Sequence, residues 1–405
     1  MSTILVTGGA GFIGSAYVRY TLSVGRDQII ILDALTYAGN LRNIANHIHT
    51  NNLFVSSPQS RWGMMRESQD GKQKMKRSDS ILIRHRIQQK AAPFAPVILP
   101  VAQIETVVGN ILKHNESCLT IIGNILDFEL VQGLVPWADY IVHFAAETHV
   151  DRSIDNPGQF LRTDILGTFE LLEAARRSSR LQKFIHISTD EIYGTTHGQP
   201  FIESDPINPR NPYSASKASA DRLVSAYFTT YNLPICILRP TNNYGPFQYP
   251  EKLIPLMVIQ AIQQQPLPVY GNGAQRRDWL YVNDTVQAIE MIRHLGKIGE
   301  AYNVAGGNER ENIDIVRQIL KYLHRSESLI HFVDDRPGHD MRYALDDSKI
   351  RQMGYQGSTL ETHLEETIQW YCDHQEWWER IIHEDEEYQE FFQKWYEPRM
   401  RTTPG

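Results

Sequence analysis

The sequence predicts an α/β protein, a doubly wound parallel sheet flanked by helices, with a smaller carboxyl-terminal substrate-binding domain. Three observations carry this. Short apolar runs of strand length alternate with helical stretches through the first 245 residues, which calls for crossover connections and parallel pairing. The first run, Ile4-Leu5-Val6, opens directly into a glycine turn. The polar residues able to do chemistry gather where apolar runs give out, at the carboxyl ends where such sheets hold ligands.

With 405 residues the chain can bury a large core and form one large or two modest domains. Charged residues at 21% and hydrophobic ones at 41% are those of a soluble globular protein. A net charge of -7 gives no overall attraction for a nucleic acid or an anionic membrane. The three cysteines, Cys118, Cys236 and Cys372, are far apart and odd in number, so a reducing, cytoplasmic setting is expected rather than a disulfide framework. The strand-like run from residue 4 leaves no room for a signal peptide, and no run approaches the roughly 18 apolar residues of a membrane helix.

Taken in order, Ile4-Leu5-Val6 and Thr7-Gly8-Gly9-Ala10-Gly11-Phe12-Ile13-Gly14 read as strand, turn and helix start. Gly9, Gly11 and Gly14 satisfy the dinucleotide fingerprint of a Rossmann-type sheet, in which small residues let backbone N–H groups reach a pyrophosphate at a helix start. A second run, Ile29-Ile30-Ile31-Leu32, ends in Asp33, about 20 residues further on, as the ribose-binding acid should. Ala34 follows instead of an arginine, and a carboxylate at 33 would repel a 2'-phosphate, so NAD is expected rather than NADP.

Between 51 and 113 the pattern breaks down. Arg61, Arg66, Lys72, Lys74, Lys76, Arg77, Arg84, Arg86 and Lys90 give a basic section with poor periodicity, and Pro93, Pro96 and Pro100 then interrupt a weakly apolar piece. It reads as an irregular, partly disordered insertion. Strands resume at Leu119-Thr120-Ile121-Ile122 and at Tyr140-Ile141-Val142-His143-Phe144, with helical periodicity from Phe160 to Arg176.

Phe184-Ile185-His186-Ile187 then gives way to Ser188-Thr189-Asp190-Glu191-Ile192-Tyr193-Gly194. Two adjacent carboxylates resist double ionisation, so one can remain an acid while the other is a base. Asn211-Pro212-Tyr213-Ser214-Ala215-Ser216-Lys217 starts a helix running to about Tyr231, with Tyr213 and Lys217 on one face. A phenol of pKa about 10 becomes a usable base beside an ammonium and an oxidised nicotinamide, which is what hydride removal from an alcohol requires.

These motifs resemble those of the extended short-chain dehydrogenase/reductases that act on nucleotide sugars, and among them the dTDP-glucose 4,6-dehydratases. The likeness covers residues 1 to about 50 and about 119 to 378. Besides the stretches above it is carried by Leu35-Thr36-Tyr37-Ala38-Gly39-Asn40, His143 to Glu147, His149 to Ile154, Asn242-Asn243-Tyr244-Gly245-Pro246, Pro250 to Pro255, Arg277-Asp278-Trp279 and Asp335 to Asp340.

The resemblance implies an internal redox reaction. Tyr213 takes the O4 proton as C4 gives hydride to a tightly bound NAD, Glu191 removes the C5 proton, Asp190 protonates the departing C6 hydroxyl, and the hydride returns to C6. Thr189 would bond near O4 and Lys217 would assist Tyr213. It further implies that Gly8, Gly11, Phe12, Ile13, Gly14, Asp33, Ala34, Leu35, Thr36, Asn124, Ile125, Ala145, Ala146, Thr163, Tyr213, Lys217 and Asn243 bind the cofactor. For the nucleotide sugar it implies His149, Asn242, Lys252, Leu253, Pro268, Val269, Tyr270, Arg277, Asn312, Asp335, Arg336 and His339. Arg277 suits the pyrophosphate on chemical grounds as well, since a guanidinium offers a bidentate fork. No metal is expected, because no residue has metal spacing to His339. Helices Phe160 to Arg176 and Tyr213 to Tyr231 resemble those through which the family forms homodimers.

The expected domain boundaries are 1–245 for the NAD-binding domain, with the insertion at 51–113, then 246–378 mainly for the nucleotide-sugar domain and 379–405 for a terminal helix or tail. Three departures from the family pattern stand out: the insertion at 51–113 lies where the family has a short connection and precedes Asn124, which stands for an aspartate beside the adenine; Asp164 stands for an asparagine; and Thr148 stands for a serine. Rival readings are a UDP- or CDP-glucose dehydratase, a sugar-nucleotide 4-epimerase, which would not need Asp190 and Glu191, and a non-catalytic NAD-binding regulator.

Overall fold

The computed structural model describes residues 1–48, 52–56, 96–114 and 116–401. Its strands in chain order are β1 (Thr3–Thr7), β2 (Gln28–Asp33), β3 (Leu53–Ser56), β4 (Val97–Leu99), β5 (Cys118–Ile122), β6 (Tyr140–His143) and β7 (Lys183–Ile187). They continue with β8 (Ile235–Pro240), β9 (Asn242–Tyr244), β10 (Leu267–Tyr270), β11 (Arg276–Tyr281), β12 (Ala301–Val304), β13 (Glu309–Glu311) and β14 (Ile330–Val333).

Nine of these form one parallel sheet in the order β12-β8-β7-β6-β1-β2-β5-β3-β4. The apolar runs lack alternation because both faces of the sheet are covered. Ile4, Val6, Ile29 and Ile31 enter one core, while Leu5, Ile30 and Leu32 enter the other, as the two-residue period of a strand requires. Helix Phe12–Val24 links β1 to β2 and stops at Gly25, whose φ of 66° is left-handed. The strand order turns at β1, so the turns after β1, β2, β6, β7 and β8 open along one edge of the sheet.

The insertion is ordered at both ends, which corrects the irregular section expected over 51–113. β3 pairs with β5, and β4 with β3, extending the sheet beyond β5. Helix Val101–Lys113 covers this extension, burying Ile104 and Val108. Ile104, Val108 and Ile111 share a face, a signal masked in the sequence by the prolines before it. Residues 57–95, which carry the basic run, lie outside the described residues.

Beyond the expected division at 245 the chain returns to the large sheet. β12 pairs with β8, helix Val282–Leu295 lies against helix Phe12–Val24, and helix Ser348–Arg351 lies against β12. The physical reason is that β8 would otherwise present an unpaired edge. The smaller domain consists of β9, β11 and β13, the β10–β14 pair, and helices Leu253–Ile262, Asn312–Tyr322 and Leu360–Asp373 around a separate core. The terminal residues form two helices, Gln375–Glu384 and Glu386–Arg401, in place of the single helix or tail expected. Trp377, Trp378, Ile381, Tyr388, Phe391 and Trp395 bury in that second core.

One buried ion pair fastens three elements that meet at the open edge. Arg239 of β8, 1% exposed, donates from Nε and Nη2 to the two carboxylate oxygens of Asp221, each at 2.9 Å. Asp221 is on helix Pro212–Tyr231. Arg239 Nη1 also donates to Tyr193 Oη at 2.5 Å, at the end of the turn after β7, and to the Glu203 carbonyl at 3.1 Å. Removing one partner of such a pair leaves a buried, uncompensated charge. Asp221→Ala is therefore expected to lower the unfolding free energy by about 3–5 kcal/mol in urea titrations. A loss below about 1 kcal/mol, the value of a surface pair, would contradict this role.

Candidate active site

The turn after β1 forms a cradle that only glycine fits. Gly8 has a φ of +73°, and a Cβ there would lie 2.7 Å from the Ala145 nitrogen. A Cβ on Gly14 would lie 2.2 Å from the Gly8 carbonyl oxygen. Gly9, which the fingerprint counted, faces the other way, with its missing Cβ 2.8 Å from Ile31 in the core. Gly8, Gly11 and Gly14 are the glycines of this turn that line the cavity. No side chain caps helix Phe12–Val24 at Gly11, so its positive end faces the cavity without an internal anion. Asp33 ends β2, where its carboxylate accepts from the Ala10 and Leu35 N–H groups, each at 2.8 Å.

The cavity, about 210 Å³, brings together most of the expected cofactor residues: Gly8, Gly11, Phe12, Ile13, Gly14, Asp33, Ala34, Thr36, Asn124, Ile125, Ala145, Ala146, Thr163, Tyr213 and Lys217. Leu35 does not line it, because with φ at 48° its side chain turns into the core. Asn243 lies in the adjoining compartment instead, held by Thr241 O and Thr285 Oγ1. Asn124 uses its side-chain oxygen locally on the Leu126 N–H, at 2.9 Å. A glycine cradle at a helix start, with a carboxylate at the end of the next strand, fits a dinucleotide and its ribose hydroxyls.

The adjoining compartment, about 260 Å³, shares Phe12, Ile13, Thr148, Ser188, Tyr213, Gln248 and Lys252 with the first, so the two form one cleft. It is lined by His149, Asn242, Lys252, Leu253, Pro268, Tyr270, Arg277, Asn312, Arg336 and His339 among the expected substrate residues. Val269 is excluded, since alternation along β10 sends Pro268 and Tyr270 to the cleft and Val269 to the core. Asp335 also stays outside, accepting from Gln275 Nε2 at 3.0 Å and meeting His339 Nδ1 at 2.5 Å.

Residues absent from the sequence expectations also line this compartment, notably Asp151, Glu251 and Tyr396. Glu251 pairs with Arg152 Nε at 2.7 Å. Asp151 takes Arg336 at 2.9 Å and the Tyr270 hydroxyl at 2.8 Å, and Trp395 Nε1 donates to that same Tyr270 hydroxyl. Burial alone would raise the Asp151 carboxyl, but His149 and Arg336 beside it carry it well below the usual range. His149 is lowered to about 4 by burial, against the pull of Glu251 and Asp151. The aromatic spacing Tyr388, Phe391, Phe392, Trp395, Tyr396 was the available signal that the terminal helix docks here.

At the junction of the compartments lies the turn after β7. Thr189 starts it, accepting the Glu191 N–H at 3.4 Å and donating to Asp190 Oδ1 at 3.1 Å. Gly194, at φ 77°, ends it. Burial and the neighbouring Glu191 push the Asp190 carboxyl well up, which favours its protonated form. Glu191 is raised by burial too, but Arg336, Arg277 and Lys252 oppose that. The adjacent carboxylates are thus driven apart in acidity by what surrounds them.

Helix Pro212–Tyr231 brings Tyr213 to the same junction. Asn211 caps it, accepting the Ser214 N–H at 2.9 Å while Ser214 Oγ accepts the Asn211 N–H. The Lys217 ammonium donates to the Ile187 carbonyl at 2.7 Å, fastening the helix to the end of β7. Burial pushes the Tyr213 phenol well above 10, Glu191 and Asp164 push it further, and a Thr189 hydrogen bond works against them. The sequence puts Lys217 beside the phenol, whereas the structure engages its ammonium on a backbone carbonyl.

Residues 99–369 match the family model described as GDP-mannose 4,6 dehydratase, and residues 4–84 the NAD dependent epimerase/dehydratase family. A dTDP-glucose 4,6-dehydratase of Neisseria meningitidis is 39% identical, over 94% of this chain and 96% of its own. The dTDP-glucose 4,6-dehydratase of Streptomyces venezuelae, solved with NAD bound, superimposes with a TM-score of 0.75 at 35% identity, covering 94% of this chain and 99% of that one. That of Bacillus anthracis, in complex with NAD, gives 0.72 at 37% identity, covering 94% and 100%.

The cradle is testable through one glycine. Gly14→Ala should weaken NAD retention by about tenfold or more, equivalent to ~1.4 kcal/mol, as read by titration calorimetry. Parent-like affinity would show that the turn absorbs the methyl group and that no close backbone approach is needed.

Proposed function

This chain belongs to the dTDP-glucose 4,6-dehydratases, within the NAD-dependent epimerases and dehydratases, and on that premise we propose how its residues divide the work. The reaction converts dTDP-glucose to dTDP-4-keto-6-deoxyglucose and water. NAD, when bound, supplies the acceptor for the C4 hydride and the donor of a hydride to C6, with no net redox change.

Tyr213 accepts the O4 proton, and the Thr189 hydroxyl, within reach of the phenol, orients O4. Once C4 is a ketone the C5 proton is acidic, and Glu191 removes it. Asp190 delivers its proton to the C6 hydroxyl, which leaves as water, and C5 takes a proton back as C6 gains the hydride. Arg277, Lys252 and Arg336 face the nucleotide diphosphate, where fixed cations are worth most in a desolvated cleft. His149, Asn242, Leu253, Pro268, Tyr270, Asn312 and His339 line the rest of the nucleotide-sugar compartment.

The observation that carries this reading is the Asp190–Glu191 pair. Its members are pushed to different acidities beside Tyr213, in one cleft with the cofactor cradle. A 4-epimerase has no water to expel and no use for that pair. A dehydratase of UDP- or CDP-glucose would use the same pair and differ at the base.

Two chains pair through the helices around 157–175 and 212–231, a proposal supported by the half-exposed Leu161 and Tyr231 there. A cytoplasmic setting is supported by three free cysteines. Among the described residues, no helix is long and apolar enough to cross a membrane.

Purified protein incubated with dTDP-glucose and no added NAD should yield the 4-keto-6-deoxy product. No product from dTDP-, UDP- or CDP-glucose, even with NAD supplied, would overturn the reading. Glu191→Gln should still oxidise C4, seen as nicotinamide absorbance that builds up, while product formation falls by roughly 10²–10⁴. Product at the parent rate would remove Glu191 as the base.

A further inference from the structure

Helix Pro157–Phe160 widens into a π-helical turn, Leu161–Gly167, before α-helix resumes at Thr168. Such turns are rare and tend to aim a side chain at a functional site. Gly167 permits the close approach, since a Cβ on it would lie 2.4 Å from Ile125 Cδ1. The side chain delivered is Asp164, 1% exposed. Its Oδ1 accepts the Glu147 N–H at 2.8 Å, and its Oδ2 accepts the Ser216 hydroxyl at 2.5 Å. Ser216 lies between Tyr213 and Lys217 on their helix. A carboxyl group is thus fixed against the segment that carries the proton acceptor, and no step of the proposed reaction uses it.

We propose that Asp164 is a positioning residue that sets the charge balance of Tyr213 and Lys217. Ionised, it holds the buried Lys217 in its charged form and makes the Tyr213 phenol harder to ionise; protonated, it releases the phenol. This deepens the reading of Tyr213 as the group that takes the O4 proton, and rests on it.

The surrounding electrostatics agree. Burial pushes Asp164 up to about 7, while Lys217 and the hydrogen bonds from Ser216 and Glu147 pull it down. Burial lowers Lys217, which Asp164 and then Asp221 oppose. Helix Pro212–Tyr231 presents Tyr213 and Lys217 near Asp164, with Asp221 beside Lys217, and the segment after β6 presents Glu147. The following helix contributes Glu170 and, through Thr168, a contact to His143. His143 is lowered to about 3 by burial, so it stays neutral across the working range. The preceding turn, Pro157–Phe160, has no titratable side chain.

The direct repulsion between an ionised Asp164 and the Tyr213 phenolate sets the expected sign of the pH effect. Above about pH 7 the parent carries ionised Asp164 and its phenol resists ionisation; well below, Asp164 is neutral and the resistance is gone. In the holoenzyme, kcat/KM for dTDP-glucose against pH should therefore coincide for parent and Asp164→Asn at low pH and separate above about 7. There the variant should reach its plateau about one unit lower, the smaller end of what a neighbouring charge produces. Superimposable profiles would overturn the proposal.

Ser216→Ala supplies an independent arm. It removes a hydrogen bond that favours the carboxylate, so the protonated-carboxyl stretch in infrared difference spectra should persist to higher pH than in the parent. An unchanged midpoint would also overturn the proposal, and this readout decides the matter if Asp164→Asn fails to fold. Because it needs no substrate, it separates failure of this proposal from failure of the dehydratase reading, which would appear as a parent that makes no product.

Discussion

The active edge of this protein depends on one guanidinium. Arg239 reaches from β8 to Asp221 on the helix bearing Tyr213 and Lys217, and to Tyr193 at the end of the turn bearing Thr189, Asp190 and Glu191. The helix and the turn are thereby fixed to the same buried charge, on the strand that lies between β7 and β12. Lys217 adds a second fastening through the Ile187 carbonyl. Buried ion pairs contribute little net stability compared with apolar packing. What this one contributes is registration, holding an acid, a base and a phenol from two different elements at the mouth of one cleft.

That registration matters because the site works by placing ionisable groups where water cannot screen them. Burial and its neighbour Glu191 push the Asp190 carboxyl well up, while the cations Arg336, Arg277 and Lys252 oppose the rise of Glu191. The same cations line the compartment that adjoins the cradle. Asp151 and Glu251 keep the cleft from accumulating unpaired positive charge, and they are themselves held ionised by Arg336 and Arg152. The terminal helix closes this network through Trp395 and Tyr270.

Much of this was legible in the sequence because it is local. A glycine turn after an apolar run, Asp33 at the end of the next run, and Tyr213 four residues from Lys217 each imply their geometry through the period of one element. What escaped was decided across elements. Gly8 rather than Gly9 meets Ala145, a contact with another strand's loop. Leu35 lies beside Asp33 yet turns inward, and Val269 sits between two cleft residues yet faces the core. β12 joins the first domain because β8 had an edge to cover, and Val101–Lys113 folds because β3 and β4 had a face to bury. Asp164 read as one polar letter exchanged for another. Only the π-helical turn reveals that it touches Ser216 and Glu147.

Thr189, Asp190, Glu191 and Tyr213 together would carry out an oxidation and a reduction on one sugar without exchanging the hydride with solvent. Substrate deuterated at C4, turned over in ordinary water and read by NMR of the product, tests this directly. The deuterium is expected at C6, while the C5 position acquires its hydrogen from solvent through Glu191. Deuterium lost to water, or still at C4 in the product, would contradict this division of labour.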